Sequence, residues 1–107
     1  MKPDTPRLLP ENFGPLQGVR IISSGTIIAQ PFAAEMAAEM GAEVIQIERP
    51  GEGDVVWRNL EFPIKTPDDT SVSSAWVQER RNMFHVSLDL STSRGKELFL
   101  RLIPQTD

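Results

Sequence analysis

The chain has 107 residues, enough for one small domain that buries somewhat over ~60% of its unfolded surface. Its 39% hydrophobic and 24% charged residues suit a soluble globular unit, and a net charge of -4 with a sequence pI near 5.0 offers no basic stripe for nucleic acid. The absence of cysteine excludes a thiol nucleophile, a disulfide framework and a zinc-thiolate site, and no apolar run approaches the ~20 residues that span a membrane.

Met1-Lys2-Pro3-Asp4-Thr5-Pro6 holds no apolar core of the signal-peptide kind, so a cytoplasmic location is the default expectation. Three prolines and little apolar surface predict an extended or disordered tail over residues 1–12, with the folded body over 13–107. Val19 to Ser23 is a short β-branched run and reads as a first strand. Ser23-Ser24-Gly25-Thr26 breaks it, and Pro31 suits the first turn of a helix because its φ is already helical and it needs no N–H partner there. Phe32, Met36 and Met40 recur every four residues with Ala33 and Ala37 beside them, which predicts the buried face and leaves Glu35 and Glu39 pointing to water. Gly41 stops the helix, and Val44 to Ile47 forms a buried second strand. A helix of this length between two strands fits a right-handed parallel crossover.

Pro50-Gly51-Glu52-Gly53-Asp54 is a turn. From Val55 to Asn82 the periodicity is weak, and the expectation is a long irregular segment with Trp57, Leu60, Phe62 and Trp76 as scattered anchors. Alternation of Phe84, Val86, Leu88 and Leu90 with polar residues predicts a half-buried strand over 84–90. Ser91 or Thr92 then caps a last helix striped by Leu98, Phe99, Leu102 and Ile103. The whole reads as α/β: a strand-helix-strand unit with a parallel sheet, a loop-rich segment, and a further strand and helix.

Ligands of open α/β sheets bind at the carboxyl ends of the strands, which draws attention to two places. The Ser23–Gln30 loop leads into a helix N-terminus, where free amides favour anions, yet neither G-x-G-x-x-G nor the P-loop pattern is present, and position alone favours an ordinary βα connection. Glu48 and Arg49 follow the second strand; an acid there suits a ribose hydroxyl and an Arg suits a phosphate, while position alone favours a solvated pair. His85 is the sole histidine, falls on the polar side of its strand, and reads as a surface residue with no metal role. No G-x-S-x-G elbow and no convincing acid, base and nucleophile set occur.

Phe13-Gly14-Pro15-Leu16-Gln17-Gly18-Val19-Arg20-Ile21, Ile28-Ala29-Gln30-Pro31-Phe32-Ala33 and the block from Met40 to Gly51 resemble the N-terminus of family III CoA-transferases, the superfamily of formyl-CoA transferase and α-methylacyl-CoA racemase. Ser87-Leu88-Asp89-Leu90, Gly95-Lys96-Glu97 and Phe99-Leu100-Arg101-Leu102 resemble that family's next strand and helix. The likeness runs over residues 13–107, and Phe13-Gly14-Pro15-Leu16 with Ser24-Gly25 and Pro31-Phe32-Ala33 leans toward the crotonobetainyl-CoA:carnitine branch. It implies a Rossmann-like piece of a larger fold, an interlocked homodimer or other oligomer, and transfer of CoA between an acyl-CoA and a carboxylic acid through an aspartate nucleophile.

That aspartate lies beyond the stretch matching Asp107, and none of Asp54, Asp68, Asp69, Asp89 or Asp107 takes its place, so the resemblance assigns no catalytic residue here and implies an inert isolated chain. What it does assign is part of a CoA cradle: Ile28, Ala29, Arg49, Leu88, Asp89, Leu90 and Ser91. Gln30 stands where the family commonly has glycine, and Met83 and Phe84 stand where basic residues often follow Asn82. The implied small molecule is coenzyme A or its thioester, with no metal, nucleic acid or membrane. The rival expectation is a non-catalytic binding or self-assembly module, with Val55–Asn82 as its surface.

Overall fold

A computed structural model describes residues 5–59 and 62–107. Leu60, expected as an anchor, and the first four residues of the tail lie outside the described residues. Three parallel strands, β1 (Arg20–Ser23), β2 (Glu43–Glu48) and β5 (Met83–Ser87), form a sheet in the order β1-β2-β5. Arg20 stands opposite Glu43, and Val44 opposite Met83. β2 is buried along its whole length, as a central parallel strand must be.

Helix α1 (Ala29–Glu39) joins β1 to β2 and starts two residues ahead of the expected Pro31, which remains within the first turn. Its C-terminus is a Schellman motif: Gly41, at φ 97°, and Ala42 donate to Ala38 and Ala37. Gly41 also crosses the lead-in at close range, since a Cβ there would lie 1.8 Å from the Phe13 carbonyl oxygen.

The expected orientation of α1 is reversed. Ala34 and Ala38 face the sheet and build the core with Ala42 and Val44, while Phe32, Met36 and Met40 are about 45% exposed. Close approach of helix to sheet explains this, because the alanine stripe leaves no room for a larger side chain. Glu35, expected in water, is buried and paired at 3.0 Å with Arg81 at the start of the turn before β5.

The segment from Val55 to Asn82 is not irregular. It holds α2 (Val55–Arg58), a ribbon of β3 (Pro63–Lys65) against antiparallel β4 (Ser71–Ser73), and α3 (Ser74–Glu79). Asp54 caps α2 and Ser73 caps α3 through their side chains. Asp69 takes φ 63° in the ribbon's turn, and Thr66 and Thr70 hydroxyls hold the Asp68 carboxyl below its usual range. Phe62, expected as an anchor, is 79% exposed, whereas Trp57 and Trp76 are partly buried.

β5 ends at Ser87, three residues short of the expected strand, and Leu88–Thr92 forms a loop. Thr92 caps α4 (Ser93–Leu102) by accepting from the Gly95 amide at 2.9 Å. Leu98, Phe99 and Leu102 of its stripe are half-buried, and Ile103 opens a final short helical turn to Gln105.

Candidate functional site

The carboxyl ends of β1, β2 and β5 open onto a cavity of about 370 Å3. Four chain segments wall it: Ser24–Ile27 after β1, Gln46–Arg49 at the end of β2, Glu52–Val56 leading into α2, and Leu88–Ser91 after β5. Its position is the one where open parallel sheets take ligands, and its size suits part of a nucleotide-sized molecule.

The expected residues Arg49, Leu88, Asp89, Leu90 and Ser91 all line it. Ile28 and Ala29 stand at the α1 N-terminus next to the wall residue Ile27 and are not part of the lining. Asp89 accepts from the Ser91 hydroxyl at 2.6 Å and from its amide at 2.9 Å, an Asx turn that sets the loop's shape. The hydroxyl first, then the amide and the nearby Arg49 charge, hold the Asp89 carboxyl below its usual range. Gly95 is required behind this loop, since a Cβ there would lie 1.7 Å from the Asp89 carbonyl oxygen.

Arg49 is 73% exposed, and its guanidinium meets Glu52 at 3.4 Å among the described residues. So long and open a contact is weak, and the guanidinium is accessible to an anion at the cavity rim. Glu48 is different. Its Oε2 accepts from Arg58 Nη2 at 2.6 Å and Nε at 2.9 Å, and its Oε1 lies 2.7 Å from His85 Nδ1. Both carboxylate oxygens are engaged inside the protein, so Glu48 is a structural acid and not a free ribose acceptor. His85 is half-buried in this cluster, 5.2 Å from the Trp76 ring, instead of lying on the surface. Arg58 completes it by covering the Trp76 ring at 4.2 Å.

Sequence reasoning missed Gln46, Asp54 and Arg58. Gln46 donates from Nε2 to the Gly25 carbonyl at 3.0 Å and so fixes the β1 loop against β2. Asp54 and Arg80 form a buried ion pair at 2.7 Å under the cavity wall. The signal available for Asp54 was its place three residues before Trp57, where an Asp cap precedes a short helix. Among the described residues no cluster of three or more His, Asp or Glu is arranged to hold a metal, and no helix is long and apolar enough to cross a membrane.

The chain is thus an α/β protein with a parallel sheet and a cavity at its strand ends, the place where sheets of this kind take ligands. Residues 16–107 match the sequence profile of CoA-transferase family III, and the chain belongs to that family. It is 40% identical over 93 residues to the succinyl-CoA–L-malate CoA-transferase alpha subunit of Chloroflexus aurantiacus, and 37% identical over 93 residues to the beta subunit. These alignments cover 87% of this chain but 21% and 22% of the two subunits, so the chain spans about a fifth of the length of the relatives it matches. Among solved structures, a CAIB/BAIF family protein from Brucella suis superposes with a TM-score of 0.78 at 26% identity, over 90% of this chain and 25% of that one. Rv3272 from Mycobacterium tuberculosis gives 0.73 at 29% identity, over 91% and 26%. The fold is therefore a portion of the larger CaiB/BaiF fold.

Proposed function

We propose that the cavity at the strand ends is part of a cradle for the nucleotide portion of coenzyme A, in a family III CoA-transferase that moves CoA from an acyl-CoA to a carboxylic acid. The observation that carries this is the convergence of Arg49 with the Asp89–Ser91 turn on one cavity in a chain of this family. Arg49 offers an accessible cation for a phosphate, and the loop after β5 offers an apolar wall through Leu88 and Leu90 for a base. Ile28 and Ala29 join the same cradle through their backbone at the head of α1. The names of the relatives favour a dicarboxylic acid as acceptor over a carnitine-type acid. Oligomeric assembly and a cytoplasmic location accompany this reading.

This chain alone performs no acyl exchange, because the nucleophilic aspartate of the resemblance has no counterpart among its aspartates. Calorimetric titration of the 107-residue chain with CoA tests the cradle. Arg49→Ala is expected to weaken binding about tenfold, the scale of one charge-assisted hydrogen bond. The absence of heat at millimolar CoA would refute the cradle, and turnover of an acyl-CoA with a free acid would refute the inertness.

One observation favours the rival self-assembly reading, on a different surface from the expected one. Ile28, Phe32, Met36 and Met40 project from one side of α1, at 61%, 46%, 46% and 44% exposure. Light scattering on the eluting chain separates the two readings: a strict monomer at high concentration removes the rival.

A further inference from the structure

Ile27 sits at φ 67°, a conformation that β-branched residues rarely adopt. Something must hold it there, and two distant parts of the chain converge to do so. The Trp57 indole N–H donates to the Ile27 carbonyl, and Arg80 Nη2 donates to the same oxygen at 3.3 Å. Arg80 is buried, and Asp54 Oδ2 holds its guanidinium at 2.7 Å. Asp54 also caps the helix that carries Trp57, accepting from the Trp57 amide at 3.3 Å. The Arg80 guanidinium lies 5.5 Å from the centre of the Trp57 ring, which closes the set.

We infer that Trp57 and Arg80 are positioning residues for the ligand cavity, acting through the Ile27 peptide. The peptide unit is planar and trans, so its carbonyl and the following N–H point in opposite directions within one rigid plane. Two donors on the Ile27 oxygen therefore fix the Ile28 N–H as well. They also fix the Ile27 wall of the cavity and the start of α1. Neither Trp57 nor Arg80 lines the cavity, so neither needs to touch the ligand. Asp54 does line it, and it links occupancy of the cavity to the clamp through Arg80. The effect on ligand affinity rests on the proposal that the cavity takes CoA; the clamp itself does not.

Trp57→Phe tests this, since it keeps an aromatic ring beside Arg80 and removes the N–H donor along with one ring of the indole. In the unliganded parent, the Trp57 indole proton is expected to exchange with solvent at least ~10-fold more slowly than that of a free indole, as a hydrogen-bonded proton does. In Trp57→Phe, the amides from Ile27 to Ala29 are expected to exchange faster than in the parent, while amides of β2 do not change. Titration with CoA is expected to show about tenfold weaker binding in Trp57→Phe, with the thermal midpoint within ~2 °C of the parent. Free exchange of the parent indole overturns the clamp. CoA affinity within twofold of the parent, in a folded Trp57→Phe chain, overturns its positioning role. If the parent binds no CoA, the cradle reading fails, and the exchange measurements alone decide the clamp.

Discussion

Replacing Glu43 with alanine is expected to be among the most damaging single changes in this chain. Glu43 is 1% exposed and lies opposite Arg20, itself 3% exposed, across β1 and β2. Its Oε2 accepts from Arg20 Nε at 2.9 Å and Nη2 at 2.6 Å, and its Oε1 accepts from the Leu8 and Leu9 amides at 2.7 and 3.0 Å. Glu43→Ala strands a buried guanidinium and releases both amides, and removing one partner of a buried pair costs about 3–5 kcal/mol. That is a large share of the ~5–15 kcal/mol that holds a typical domain together. With a denaturant slope of about 1–3 kcal/mol/M, the urea midpoint should fall by at least ~1 M.

The pH dependence has a definite sign. Burial pushes the Glu43 carboxyl up, but the Leu9 amide, the Arg20 guanidinium and the Leu8 amide together hold it below its ordinary value of 4.5. A carboxyl lowered in the folded state contributes its stability fully above the ordinary value, and loses it as pH falls through the folded one. The gap in midpoint between the parent and Glu43→Gln should therefore narrow below about pH 4. Arg20→Met with Glu43→Leu removes both charges and should recover the part of the loss that comes from the stranded guanidinium. A Glu43→Ala midpoint within ~0.3 M of the parent at pH 7, or a double variant no better than the single, would refute the account.

Three further substitutions test the packing. Gly41→Ala should cost at least ~1–3 kcal/mol from the left-handed backbone alone, and more from its contact with the Phe13 carbonyl, read as a lowered urea midpoint. Phe32→Gln should change stability by no more than ~0.5 kcal/mol, because the ring lies outside the core, whereas Ala38→Leu should cost about 1–3 kcal/mol by overpacking. Similar losses for Phe32→Gln and Ala38→Leu would mean that α1 faces the sheet the other way round.

The parts of the fold that announce themselves in sequence are those set by local chemistry. β-Branched runs mark β1 and β2, Gly41 marks the Schellman end of α1, and Thr92 marks the cap of α4. Which stripe of α1 is buried is not local. Phe32, Met36 and Met40 satisfy helical period as well as Ala34 and Ala38 do, and only the closeness of the sheet selects the small residues. Glu35 reads as solvated until Arg81, which follows it by 46 positions, arrives to pair with it. The site shows the same division. Arg49 and the Leu88–Ser91 loop follow strands and are visible by position, but the Asp54–Arg80 pair spans 26 residues and the Arg80–Ile27 bond 53. The ribbon and helices within Val55–Asn82 escaped notice because strands of three residues carry too few positions to show a period.

β1 is an outer strand of the sheet, and an outer strand is where chains adhere to one another. Here the Arg20 amide donates to Asp107 Oδ2 at 2.9 Å, and the Asp107 amide donates to the Arg20 carbonyl at 3.0 Å. One residue of that rim thus has its main chain occupied, by a segment that brings a negative charge with it. At that rung, a strand approaching along β1 meets main-chain groups already occupied and a carboxylate.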